Sequence, residues 1–292
     1  MTAKDHARSR SAARSATTTA GFPTFLVMGA MRSGTTSLAV YLREHPEVFI
    51  PREKELHFFD WRWERGVSWY RERFAGAGTR TAVGEATPMY MYYPDARERM
   101  ASSVPEARLI AILRNPIDRA YSHYWFNRSL AIEDRPFADA LAGEPVHEPP
   151  GAERHNFMYV DMGRYARQLR AVCEFYPREA LLVILFEDLV DRPEQTFSEV
   201  CRFLGVDHTR KPGLAGKPNN EYAEYRSRAL QKLAWSAPPS VRRAIRKFNR
   251  RRVEYPQMDR ALHRELASRL SGDIQDLAAW LGRDLSAWTE AS

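Results

Sequence analysis

Only two cysteines, Cys173 and Cys201, occur among 292 residues, and neither lies within metal-ligand spacing of another. A disulfide framework and a cysteine-ligated zinc site are therefore not expected, and a reducing, cytoplasmic setting is. Long apolar runs are also missing. No stretch approaches the roughly 18 to 20 residues that span a bilayer, so no transmembrane segment is expected. The first twenty residues, "MTAKDHARSRSAARSATTTA", lack the apolar middle of a secretory signal. Their Arg, Ser, Thr and Ala content is that of a disordered leader over 1–21, a composition that some organelle transit peptides share. Lysine is scarce as well: 6 against 38 arginines, so an arginine standing where a lysine is usual reflects the general usage of this chain.

Apolar residues make up 44% of the chain, enough for a globular core, and residues 22–292 show no internal repeat or linker. A single domain with a helical tail is expected. The formal charge of +7 is confined in sequence. Lys4, Arg8, Arg10 and Arg14 stand against Asp5 in the leader, and "VRRAIRKFNRRR" (241–252) holds seven cations and no acid. The remainder is net acidic, so the body is not a basic platform and nucleic acid is not an expected partner. The run 241–252 reads as a solvated basic helix; a module binding acidic polymers is the other reading it allows.

Strand-like and helix-like segments alternate after the leader. "TFLVMG" (24–29) reads as a buried strand followed by a helix from Thr35 to Arg43. "ARLIAIL" (107–113) and "ALLVILF" (180–186) read as two more, the first leading to a helix near Pro116, the second following a helical pattern from Tyr165 to Phe175. This alternation predicts an α/β fold, a P-loop-like three-layer α/β/α arrangement with a central parallel sheet. The proline-rich section 130–160 reads as a long loop or flap. From Glu221 onward no clear strand is evident, so the C-terminal third is expected to be helical.

Three motifs carry chemistry. "GAMRSGTTSL" keeps the glycine spacing of a phosphate loop, Gly29 to Gly34, but puts Thr35 where G-x-x-x-x-G-K-[ST] has lysine. Ser33, Gly34, Thr35, Thr36 and Ser37 would stand where a strand turns into a helix N-terminus, which favours an anion. Arg32 is the nearby cation. In "LRNPIDRAYSHYW", Arg114 follows a core strand and Ser122 lies two helical turns on, a receptor suited to a phosphate monoester. In "PREKELHFFDW", Glu55 and His57 are set among aromatic residues. Such surroundings tend to raise a carboxylate's pKa, which suits a general base, with His57 as runner-up. Glu187 and Asp188 in "LLVILFEDL" mimic a magnesium site and read better as helix caps.

Together these motifs resemble the sulfotransferases that use 3′-phosphoadenosine 5′-phosphosulfate (PAPS), bacterial members and the heparan sulfate branch in particular, from about Phe22 to Trp288. The resemblance implies that residues Arg32 to Ser37 hold the 5′-phosphosulfate and that Arg114 and Ser122 hold the 3′-phosphate. It implies less specifically that Arg226 and Arg228 in "EYRSRALQKL" join them. Arg32 would stand for a lysine that stabilises the leaving phosphate, and Glu55 would deprotonate an acceptor hydroxyl or amine, releasing PAP without a required metal. "GEATPMY" departs from the family's E-K-[ST]-x-x-Y, with Ala86 for lysine, so that a catalytic cation is either missing or replaced by Lys54, a departure that bears on a polysaccharide substrate more than on the reaction. Small metabolites, glycolipids and polysaccharides are all expected acceptor classes. A P-loop kinase or NTPase is the alternative, and the missing lysine argues against it.

Overall fold

The computed structural model describes residues 21–145, 156–211, 223–225, 227, 229–230, 234, 236–252 and 256–290. The expected leader therefore lies, except for Gly21, outside the described residues, as do Arg226, Arg228 and the middle of the proline-rich section.

Five strands form one parallel sheet: β1 (Phe25–Gly29), β2 (Val48–Phe49), β3 (Ala82–Ala86), β4 (Arg108–Leu113) and β5 (Leu181–Leu185), in the order β2-β3-β1-β4-β5. Side chains alternate between its two faces, as the period of a strand requires. Leu26, Met28, Leu109, Ala111 and Leu113 enter one apolar cluster, whereas Phe25, Val27, Ile110 and Ile112 enter the other. Being covered on both faces explains why β1 and β4 read as continuous apolar runs.

On the second face lie α1 (Thr35–Glu44) and, later in the chain, helix Pro193–Leu204. The first face is covered by α2 (Gly66–Glu72), α3 (Pro94–Ser103), α4 (Pro116–Ser129), the short α5 (Phe137–Ala142) and α6 (Tyr165–Cys173). After β5 come α7 (Phe186–Asp191) and α8, the helix Pro193–Leu204 just named. Then follow α9 (Pro239–Asn249) and α10 (Arg260–Leu281). Asp259 caps α10, accepting from the N–H groups of Ala261 (2.8 Å) and Leu262 (3.3 Å). Further along α10, Asp273 accepts from the N–H of Ala166 at 3.1 Å and so caps α6. The expected three-layer α/β/α architecture is present.

Three expectations need correction. The sheet has two strands beyond the three apolar runs, β2 and β3. The C-terminal part is not wholly helical: β6 (Ala223–Tyr225) pairs antiparallel with β7 (Arg250–Arg252), so the basic run turns from helix to strand after Asn249. Section 130–160 is not a plain loop either. It contains α5, and Glu133 (2% exposed) accepts from Arg135 (2.8 Å) and the Tyr159 hydroxyl (3.2 Å), fastening its two ends together.

The C-terminal ends of β1, β3 and β4 lie side by side in register: Val27 pairs with Ala86 and with Ile110. Open parallel sheets bind ligands outside this edge, where the order of connection reverses. The segments leaving it carry Arg32, Thr87 and Arg114.

Candidate active site

Beyond β1 the chain turns through Arg32 (φ 69°), buried Ser33 and Gly34 (φ 93°) into α1. Gly34 is required here. A Cβ would have to adopt the left-handed conformation and would sit 2.9 Å from Cδ2 of Phe186. No side chain caps α1. By helix geometry the N–H groups of Gly34, Thr35, Thr36 and Ser37 have no i−4 carbonyl to bond, so they point outward at the positive end of the dipole. Thr35 is buried, Ser37 half-buried and Thr36 exposed. The residues expected to cradle an anion, Gly34 to Ser37, thus stand at a helix N-terminus.

Arg32 donates from Nε to the Ser122 hydroxyl at 3.1 Å, and its guanidinium lies 4.8 Å from the Phe126 ring centroid. Ser122 (3% exposed) and Phe126 are one turn apart on α4, so the helix after β4 grips the loop after β1. Ser122, expected beside Arg114, is thus bonded to Arg32. Arg114 stacks over Phe186, 5.1 Å from its ring centroid. Its carbonyl accepts from the Tyr165 hydroxyl at 3.0 Å.

Glu187 and Asp188 stand beside these cations without forming a metal cage. Glu187 accepts from the N–H of Asn115 at 3.2 Å and so caps the start of α4, while it also accepts from its own N–H in the first turn of α7. Burial pushes the Glu187 carboxyl up, against that hydrogen bond and the charge of Arg114. Asp188 is paired with Arg192 and with Arg283 at 2.5 Å. Among the described residues no three His, Cys, Asp or Glu gather as a metal site.

The segment after β2 carries the expected base. Lys54 Nζ lies 2.6 Å from Glu55 Oε1, and His57 Nε2 lies 3.6 Å from Oε2. The other ring nitrogen of His57, Nδ1, lies 2.9 Å from Asp60 Oδ2, and the ring stacks on Trp61 at 3.8 Å between centroids. Charges therefore alternate along Lys54, Glu55, His57 and Asp60. Burial alone would raise the Glu55 carboxyl, but the contacts with His57 and Lys54 outweigh it and bring its pKa down to about 2. Burial likewise opposes the imidazolium, and Asp60 and Glu55 overcome it, raising His57 to about 9. The expectation of a raised Glu55 pKa from neighbouring rings is thus reversed: the carboxylate's closest partners are cations.

Ala86 ends β3 and is buried in the apolar cluster on the α1 face, where no cation can stand in for the family's lysine. Lys54 supplies the cation next to Glu55. Sequence reasoning passed over Asp60, although His57-x-x-Asp60 was a signal, and it passed over the hydroxyl residues Thr87 and Tyr90 that lie beneath this segment.

A sulfotransferase-domain profile matches residues 22–254, most of the chain. The chain belongs to the PAPS-dependent sulfotransferase family. Human heparan sulfate glucosamine 3-O-sulfotransferase 6 is 30% identical over 63% of the chain and 53% of its own length. A mouse bifunctional heparan sulfate N-deacetylase/N-sulfotransferase 4 is 28% identical over 91% of the chain and 31% of its own length. The chain thus spans about half or less of the length of these curated relatives. The crystal structure of a sulfotransferase from Alicyclobacillus acidocaldarius, 29% identical, aligns over 92% of this chain and 99% of that one with a TM-score of 0.70. The family's fold is therefore present along nearly the whole chain.

The donor set fits a cofactor with two anionic ends. Outward N–H groups, three hydroxyls, Arg32, Arg114 and Ser122 all offer hydrogens. Of the nearby carboxylates Asp188 is paired with Arg192 and Arg283, whereas Glu187 bonds Asn115 through Oε1 and its Oε2 accepts no hydrogen bond among the described residues.

Proposed function

We propose that the protein transfers the sulfonate of PAPS to a hydroxyl or amine of an acceptor, releasing PAP, with Glu55 as general base. The observation that carries this reading is the bond from Arg32 to Ser122. It joins the loop after β1 to the helix after β4, which supports the reading that the two segments would hold the two ends of one cofactor.

Bound there, PAPS would supply an activated sulfonate on a phosphate leaving group. The N–H groups of Gly34 to Ser37 would hold the 5′-phosphate, and Arg114 with Ser122 would hold the 3′-phosphate. Arg226 and Arg228, outside the described residues, are proposed to add to that second end. Arg32, permanently charged and fork-shaped, would stabilise negative charge on the leaving oxygen but cannot give it a proton. The hydrogen bond from Arg32 to Ser122 would hold the guanidinium in place, and each residue is proposed to contact its own end of the cofactor.

Glu55 would take the acceptor's proton. It is ionised at neutral pH, as a base must be, yet with a pKa of about 2 it is weakly basic while both cations hold it. Lys54, ion-paired to Glu55 but partly exposed, would turn toward a bound anion. Its departure would raise the basicity of Glu55, so donor binding would prepare the base. His57, raised to about 9, carries a proton at neutral pH and is poised to orient Glu55 rather than to accept. The remaining catalysis would be positioning for in-line attack and electrostatic stabilisation.

The names of the relatives point to a polysaccharide acceptor, and a glycolipid or small metabolite offers the same nucleophile. A P-loop kinase or NTPase is not favoured, since Thr35 replaces its lysine. The test is incubation with PAPS and a panel of hydroxyl- and amine-bearing acceptors, read by mass spectrometry. An added sulfonate with stoichiometric PAP is the expected result; PAPS left intact with every class would count against the reading.

A further inference from the structure

Glu85, in β3, is 2% exposed and, among the described residues, forms no ion pair. Three hydroxyls face its carboxylate instead: Tyr70 (2.7 Å) and Tyr90 (2.9 Å) donate to Oε1, and Thr87 (2.7 Å) donates to Oε2. The three hydroxyl hydrogens are directed at the carboxyl oxygens. The lone pairs of Thr87 and Tyr90 are then turned outward. Thr87 accepts from the N–H of His57 at 3.4 Å, and Tyr90 accepts from Phe58 at 2.8 Å and Phe59 at 3.4 Å.

Those N–H groups belong to the segment that presents Glu55, His57 and Asp60. Within it Glu55 (φ 57°) and His57 (φ 51°) adopt the left-handed conformation. Non-glycine residues persist there only where their surroundings over-determine them. The two relaying hydroxyls supply that constraint. Burial pushes the Glu85 carboxyl up, while the donors Tyr70, Thr87 and Tyr90 oppose it. Removing a relay would also leave a buried N–H without its acceptor.

We propose that Glu85 is a positioning residue: acting through Thr87 and Tyr90, it orients the main chain of His57 to Phe59 and thereby aims the Glu55 carboxylate and the His57 ring. The inference rests on the reading of Glu55 as base, but one of its readouts does not.

The test compares the full chain with E85Q, T87A and T87S. Glutamine keeps the size of Glu85 but sets an N–H₂ donor against hydroxyl donors, so at least one hydroxyl must turn away from the loop. In E85Q, kcat should fall on the order of tenfold to a hundredfold, with the KM for PAPS nearly unchanged. The titration of His57, followed by NMR, should move down from about 9 toward its ordinary 6.5. T87A should reproduce both changes, T87S should resemble the wild type, and the effects of E85Q and T87A should not add. An E85Q protein that melts cooperatively yet keeps the wild-type kcat and His57 titration overturns the proposal. If E85Q does not fold, identical behaviour of T87A and T87S overturns it. Failure of the wild type to transfer sulfonate would sink the functional reading instead, and the His57 titration would still decide the positioning role.

Discussion

Arg32 and Ser122, 90 residues apart in sequence, are joined by a hydrogen bond of 3.1 Å from Nε to the hydroxyl. The bond fixes the cation of the phosphate loop against the helix that follows β4. Serine to alanine at 122 should therefore act on both ends of the donor site. Hydrogen bonds to charged groups contribute about 1.5–3 kcal/mol, so Ser122→Ala should weaken PAP binding roughly tenfold or more by calorimetry. The melting temperature should fall by a few degrees as the same bond is lost from the folded protein, and unchanged PAP affinity would remove Ser122 from the site.

Gly34→Ala should damage the cradle itself. The substitution demands a left-handed alanine and a Cβ 2.9 Å from Phe186. Backbone strain of this kind costs about 1–3 kcal/mol, to be measured as a lowered urea midpoint, with PAP binding lost in parallel. A variant as stable and as tight-binding as the parent would mean that the turn adopts another conformation.

The His57–Glu55 pair should make stability depend on pH in two windows. Glu55 is depressed from 4.5 to about 2, so its contribution is present above pH 4.5 and is lost as pH falls toward 2. His57 is raised from 6.5 to about 9, so its contribution is complete below pH 6.5 and is lost as pH rises through 9. Urea midpoints of the wild type should fall between pH 6.5 and 9 more steeply than those of His57→Asn. Parallel curves for the two proteins would contradict the assignment.

Glu55→Gln and Arg114→Ala should fail in opposite ways. The first removes the proton acceptor, so sulfonate transfer should disappear while PAP affinity stays nearly intact. The second removes a cation from the phosphate receptor and should chiefly weaken PAP binding. Turnover retained by Glu55→Gln would move the base role elsewhere, with His57 as the next residue to test.

The legible parts of this molecule were those whose physics is local. β1, β4 and β5 were visible because strands buried on both faces are apolar throughout. β2 was not, being only Val48 and Phe49, and β3 was not, because "AVGEA" contains Gly84 and Glu85. Gly84 is there to admit the Phe25 ring, which would lie 2.5 Å from a Cβ, and Glu85 is there for three hydroxyls, Thr87 and Tyr90 close by in sequence and Tyr70 from α2. A buried carboxylate inside a strand reads as a break in the apolar pattern until its hydroxyl partners are placed around it. β7 was hidden for a related reason: Arg250 to Arg252 continue a basic helical pattern, and only pairing with β6 makes them a strand.

The site shows the same division. Gly34 and the helix N-terminus could be read from spacing, since a turn's geometry is set by neighbouring residues. The protonation states could not. The aromatic residues beside Glu55 implied an elevated pKa, whereas Lys54 at 2.6 Å and His57 at 3.6 Å decide it in the other direction. Nor could sequence assign Ser122 to Arg32, because which cation a hydroxyl meets depends on how α4 packs against the β1 loop.

The segments after β1 and β4 are proposed to hold a 3′,5′-bisphosphorylated adenosine donor. Isothermal titration of PAP into the full chain, with magnesium absent, tests this most directly. The account predicts saturable one-to-one binding that Arg114→Ala weakens and Glu55→Gln leaves nearly unaltered. No PAP binding under these conditions, together with magnesium-dependent binding of ATP, would contradict it.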